Sequence, residues 1–191
     1  MTKPPKPFVL RFYFEPTPSM SDPEGADTFY HAIGVAVVAW GRLEGLFVSC
    51  LMTLTSLAKD TKVFQRPIPG QWEQRAELWK DAYESLPALR PQKTRAEDFV
   101  KELLIAVEDR NTTVHGMWQK FTTASPLTLE LVAYKRVKGA RDKTNIWRGD
   151  ITLSGLHEIS KTANRLNFEL YELAQFISRH FGPAPSDAHR V

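Results

Sequence analysis

The sequence predicts a mainly α fold: an up-and-down helical bundle with a small antiparallel β-sheet inserted before the last helix. Three observations predict it. Apolar residues recur at three- and four-residue spacing along several long stretches, the spacing that lines one face of a helix. Between Met117 and Leu153 the pattern changes to alternation, as in Leu127-Thr128-Leu129-Glu130-Leu131. The helical period then returns and runs until Gly182-Pro183-Ala184-Pro185 stops it. With 191 residues, 42% hydrophobic and 25% charged, the chain is one domain, 1–181, in which 117–153 is the β insertion. Residues 182–191 are expected to form a disordered tail.

The elements follow in order. Phe8 to Glu15 is rich in aromatic and β-branched residues and reads as a strand closed by Pro16 and Pro18. Asp27 or Thr28 caps a long helix reaching about Lys59. Its apolar seam is Ile33, Val37, Trp40, Phe47, Leu51 and Leu54, and Glu44 fills the gap in that seam. Burying this carboxylate alone costs several kcal/mol, so it requires a cation or a donor. Gln71 to Leu86 is a second helix with Trp72, Trp79 and Tyr83 on one side. A third starts near Lys93 or Thr94 and carries Phe99, Leu103, Ala106 and Arg110 on one stripe. Arg110 is thereby the leading partner for Glu44, with a wet seam edge beside Arg42 or a lysine as the plainer arrangement. Met117 to Thr123, Leu127 to Val137 and Asn145 to Leu153 read as strands. Ser154 caps the last helix, whose seam is Leu156, Ile159, Ala163, Leu166, Leu170, Leu173 and Ile177. Phe168, Tyr171 and Phe176 give this helix a second apolar side, which implies another neighbour, such as a second subunit of a homodimer.

Composition excludes several function classes. The one cysteine, Cys50, lies in the most apolar helical stretch, so neither a disulfide framework nor a Cys-based zinc site can form within the chain. No spaced cluster of metal ligands and no phosphate-cradling glycine loop occurs, so no metal and no cofactor are expected. The proline-rich start is unlike a signal peptide, and Arg42 and Glu44 interrupt the longest apolar run, so no membrane span and a cytoplasmic location are expected. A net charge of +3 allows a polyanionic partner without demanding one.

Chemistry concentrates where the third helix ends, in Arg110-Asn111-Thr112-Thr113-Val114-His115. Arg110 offers a permanent planar cation suited to phosphate or carboxylate. His115 titrates near neutrality, and Asn111, four residues before it, is placed to orient the ring. On a straight helix Arg110 and His115 stand about 140° apart, at roughly 100° per residue. Either the β-branched Thr112, Thr113 and Val114 break the helix, or a second element or a second subunit completes the site.

This hexapeptide resembles the motif of the HEPN superfamily, an Arg followed by four to six residues and a His, commonly with Asn after the Arg. The resemblance covers the motif closely and the flanking helices only as architecture. It implies a HEPN-like helical bundle and a metal-independent endoribonuclease working as a dimer, with Arg110 and His115 as catalytic residues. His115 would move the proton of an RNA 2′-hydroxyl or of the leaving oxygen, while Arg110 stabilises charge on the phosphate. Asn111 and an inferred Glu44 would support them. Degenerate members of the family imply one rival, a non-catalytic module that binds a nucleotide or RNA; a second rival, outside the resemblance, is a structural partner-binding protein whose motif is only a helix end. A toxin–antitoxin role, with an antitoxin as partner, belongs to what the resemblance implies. Separately, Lys135, Arg136, Lys138, Arg141, Lys143 and Arg148 make the sharpest local excess of positive charge. They read equally as an RNA-binding arm and as charges guarding the edges of a solvated hairpin.

Overall fold

The computed structural model describes residues 24–57, 67–115, 117–122, 125–136 and 144–181. The predicted strand Phe8 to Glu15, the tip 138–143 and the tail 182–191 lie outside the described residues. Four long helices are α1 (Ala26–Leu57), α2 (Trp72–Ser85), α3 (Lys93–His115) and α4 (Leu153–Phe181), with a short 3-10 segment, Pro87–Gln92, between α2 and α3. Strands β1 (Met117–Phe121), β2 (Thr128–Arg136) and β3 (Thr144–Thr152) form an antiparallel sheet in the order β1-β2-β3. The mainly helical architecture with a small sheet before the last helix is as the sequence predicts.

The principal core lies where α1, α2, α3 and α4 meet, around Phe47, Trp79, Tyr83, Phe99, Leu103, Leu166 and Leu170. Aromatic rings fill it because four helices leave irregular gaps that large flat side chains close efficiently. Phe47 packs against Trp79 at 5.3 Å and lies nearly parallel to Trp72 at 6.0 Å. Cys50 is buried in this core, and burial pushes its thiol up to about 12. It is a small apolar filler rather than a nucleophile.

A second, smaller cluster seats the sheet. Phe29, Ala32 and Ile33 of α1, Leu129 of β2 and Leu156 of α4 are buried together, with Trp118, Phe121 and Ile151 partly buried against them. Thr152 Oγ1 accepts the backbone N–H of Gly155 at 3.0 Å, so Thr152 caps α4 and the predicted Ser154 lies inside the helix. Leu156, Ala163, Leu166, Leu170, Leu173 and Ile177 face inward as expected, whereas Phe168 and Tyr171 are exposed.

The long helix α1 shows where seam reading fails. Its inward face is Phe29, Ala36, Trp40, Leu43, Phe47, Leu51 and Leu54, while Val37, placed in the seam by spacing, is 44% exposed. Val35, Val38 and Met52 are exposed too. The helix is apolar on nearly every side, so spacing alone does not single out the buried one. By length and composition α1 could also cross a membrane, yet its inward face builds the protein core.

Candidate functional site

The motif lies on one continuous helix. α3 runs from Lys93 to His115 without interruption, so of the two geometries open to the sequence the broken helix is excluded. The threonines fail to break it for a local reason. Thr112 Oγ1 donates to the carbonyl of Glu108 at 2.9 Å, keeping its hydroxyl on the helix backbone. Thr113 is buried, and its carbonyl, one of those a helix end leaves without an internal partner, accepts the indole N–H of Trp118 at 2.9 Å. The first strand therefore clamps the end of the helix that carries the motif.

Arg110 sits at the end of the buried stripe Phe99, Leu103 and Ala106, itself half-buried, as the spacing predicts. Its Nη1 donates to Asn111 Oδ1 at 2.9 Å. The Asn111 oxygen is thus turned to the guanidinium, while the His115 side chain lies outside what the structure describes. Position 115 is about 140° around the helix from position 110, so one straight α3 does not direct both at the same small ligand.

Glu44 belongs elsewhere. Arg75, from α2, binds it at 2.7 Å and donates its Nε to the Pro69 carbonyl at 2.7 Å. The same guanidinium lies over the Trp72 ring at 5.5 Å. The expected Glu44–Arg110 pair is therefore replaced by Glu44–Arg75, and Glu44 serves the α1–α2 packing. Arg75 falls on the buried side of α2, between Trp72 and Trp79, with its side chain 12% exposed; it was hidden in the sequence because its partner lies 31 positions away on another helix. The sequence alone assigns Trp118 no role beyond its place in the strand after the motif; its signal was a donor-only indole just beyond a helix end.

Of the basic set, Arg148 is exposed on β3, opposite Val132 of β2. Lys135 and Arg136 lie in β2, paired with Asn145 and Thr144. Lys138, Arg141 and Lys143 fall outside the described residues.

Beside the motif opens a cleft of about 440 Å³ between α3, the sheet and α4. Glu108, Asp109, Thr112 and Thr113 of α3 form one wall and Gly155, Glu158, Ile159 and Thr162 of α4 the other, over a floor of Trp40 and Leu131. Its charge is negative: Glu108, Asp109, Asp150 and Glu158 line it, and no lysine, arginine or histidine does among the described residues. No group of three or more metal-ligating side chains occurs among the described residues. No protein-family model matches this chain, nor does any curated protein or solved structure compared with it.

Proposed function

We propose that this chain is one half of a HEPN-type endoribonuclease, in which two copies bring Arg110 and His115 together across a shared cleft. The observation that carries the reading is the unbroken α3. Arg110 and position 115 lie on different sides of it, so a single α3 does not converge on one phosphodiester, and in this reading a second copy, rather than a second element, completes the site. In such a pair, one His115 takes the 2′-hydroxyl proton as that oxygen attacks phosphorus. The other gives a proton to the departing 5′-oxygen, and Arg110 holds the charge that builds on the phosphoryl oxygens. Asn111 keeps the guanidinium fork turned in one direction, which favours a planar two-point contact with phosphate. The chain supplies acid, base and charge by itself, so the reaction is expected to proceed with chelator present.

One observation favours the rival, a HEPN-like module that binds without cleaving. The cleft next to the motif is lined by carboxylates, which repel a phosphate backbone.

Single-stranded RNA incubated with chelator separates the two. Wild type is expected to give products ending in a 2′,3′-cyclic phosphate, and His115→Ala to lose a factor of about 10² to 10⁴ in rate. Arg110→Lys keeps the charge but not the fork and should also cleave poorly. Undiminished cleavage by folded His115→Ala, or a wild type that stays monomeric by sedimentation while cleaving, would sink the composite site. A folded dimer that cleaves no RNA leaves the binding module as the function.

A further inference from the structure

The acidic cleft has a chemistry opposite to that of the arginine beside it, and its volume of about 440 Å³ lies within the range of small-molecule sites. Its floor is a tryptophan that is 2% exposed, Trp40, with Leu131 and Ile151 nearby. Carboxylates stand on both helical walls, Asp109 on α3 and Glu158 on α4. Glu158 also holds Lys161 at 2.6 Å in an exposed pair, a contact worth little in water. Asp150 also lines the cleft and is exposed. By strand alternation it shares the sheet face of Glu130, its direct cross-strand partner, rather than that of Ile151. An apolar floor under a carboxylate wall suits a cation carried on an apolar body, since the cation meets the acids while the body covers the indole.

A second observation is independent of the charges. The Trp40 indole N–H is buried and donates to no acceptor among the described residues. Two other buried donors, Trp79 Nε1 and Tyr83 Oη, share that condition. All three, Trp40 included, belong to the four-helix aromatic core, where ring faces act as weak acceptors, and Trp40 meets Trp72 edge-to-face at 6.3 Å. What sets Trp40 apart from the other two is that it also lines the cleft. A buried donor without an acceptor costs free energy that a ligand carbonyl restores on binding.

We infer that the cleft between α3, the sheet and α4 binds a small organic cation, an amine or guanidinium that carries a carbonyl acceptor within reach of the Trp40 indole. The site is distinct from the phosphate chemistry assigned to Arg110 and does not depend on whether RNA is cleaved.

Titration calorimetry on the full chain tests this with three probes: argininamide, agmatine, which has the same guanidinium but no carbonyl, and a blocked Gly-Arg-Gly peptide. Argininamide is expected to bind saturably and more tightly than agmatine. The combined Asp109→Asn and Glu158→Gln substitutions should weaken it by about tenfold or more, against no change in Glu77→Gln on the far surface of α2. Trp40→Phe keeps a ring but removes the donor, so it should erase the preference for argininamide over agmatine, with melting temperature recorded to establish that the variant is folded. Tighter binding of the peptide than of argininamide would assign the cation to a polypeptide side chain, and the reverse to a free metabolite; either supports the site. No saturable binding up to about 10 mM, far weaker than the usual small-ligand range, would overturn it. So would binding undiminished in the Asp109→Asn, Glu158→Gln variant, or competition by adenosine monophosphate for the same cleft.

Discussion

The two hydrophobic clusters share α1 and α4 and differ in what else they draw on, α2 and α3 in one and the sheet in the other, and in how completely they close. At the four-helix end, Phe47, Trp79, Tyr83, Phe99 and Leu103 are fully buried against one another. At the sheet end, Phe29, Leu129 and Leu156 are buried, but Trp118, Phe121, Leu127, Ile151 and Leu153 are only partly so. The cleft lies where the two clusters meet: Trp40, Ala106 and Ile159 belong to the four-helix cluster and Ile151 to the sheet cluster. A site that must admit a ligand draws part of its wall from the less closed part of a fold, while the tightly packed end holds the helices in position.

The largest effect that would sharpen this comparison is at Trp79. Trp79→Ala should cost about 3 to 5 kcal/mol, because a fully packed site collapses poorly around the cavity. Leu129→Ala, in the smaller cluster, should cost about 2 to 3 kcal/mol, the lower end of the range for a leucine whose surroundings can relax. Chemical denaturation of both variants checks the order. If Leu129→Ala proves the more damaging, the sheet end is the keystone and the comparison is inverted.

Next in size is Arg75. Its alanine variant loses the Glu44 pair, the Pro69 hydrogen bond and the contact with Trp72, and should lose about 1.5 to 3 kcal/mol, the range for hydrogen bonds to charged groups. Arg110→Ala would then leave Glu44 untouched. A double-mutant cycle between Glu44 and Arg110 should show coupling near zero, and a coupling above about 0.5 kcal/mol would contradict the pairing described here.

Trp118→Phe is smaller, about 1 kcal/mol for one hydrogen bond. It should act locally, since it frees the Thr113 carbonyl. Amide exchange is expected to accelerate in the last turn of α3 more than in α2; uniform acceleration would mean that Trp118 serves general packing.

Cys50 should give no change in stability at all, only a reading. With its thiol pushed up to about 12 by burial, almost no thiolate exists at pH 8. A maleimide is expected to label it only as the four-helix core opens. Labelling as fast as amide exchange in the sheet would show that the two ends open together.

How much of this was legible in the sequence depends on what distinguishes one face of an element from another. α4 is amphipathic, and six of its seven seam positions are buried. α1 is not, and Val37 was assigned inward while Leu43 was overlooked. The carboxylate Glu44 stood out because it interrupts an apolar seam, but its partner did not, since a salt bridge between two helices leaves no mark on local spacing. The same holds for the acidic cleft. Asp109 and Glu158 are ordinary helix-surface residues 49 positions apart until α3 and α4 are set side by side with Trp40 beneath them.

The unbroken α3 makes residue count a rotational coordinate. One residue inserted between Thr112 and Thr113 would turn position 115 by about 100° about the axis and advance it about 1.5 Å. Four inserted residues would restore the original bearing to within about 40° one turn further along. Chemistry at His115 should therefore depend on insertion length periodically, not monotonically. Motifs with four, five or six residues between Arg and His would point their histidines about 140°, 240° and 340° from the arginine on a straight helix. Only the last nearly faces its own arginine. With its four-residue spacing, this chain sets Arg110 and position 115 on different faces of α3.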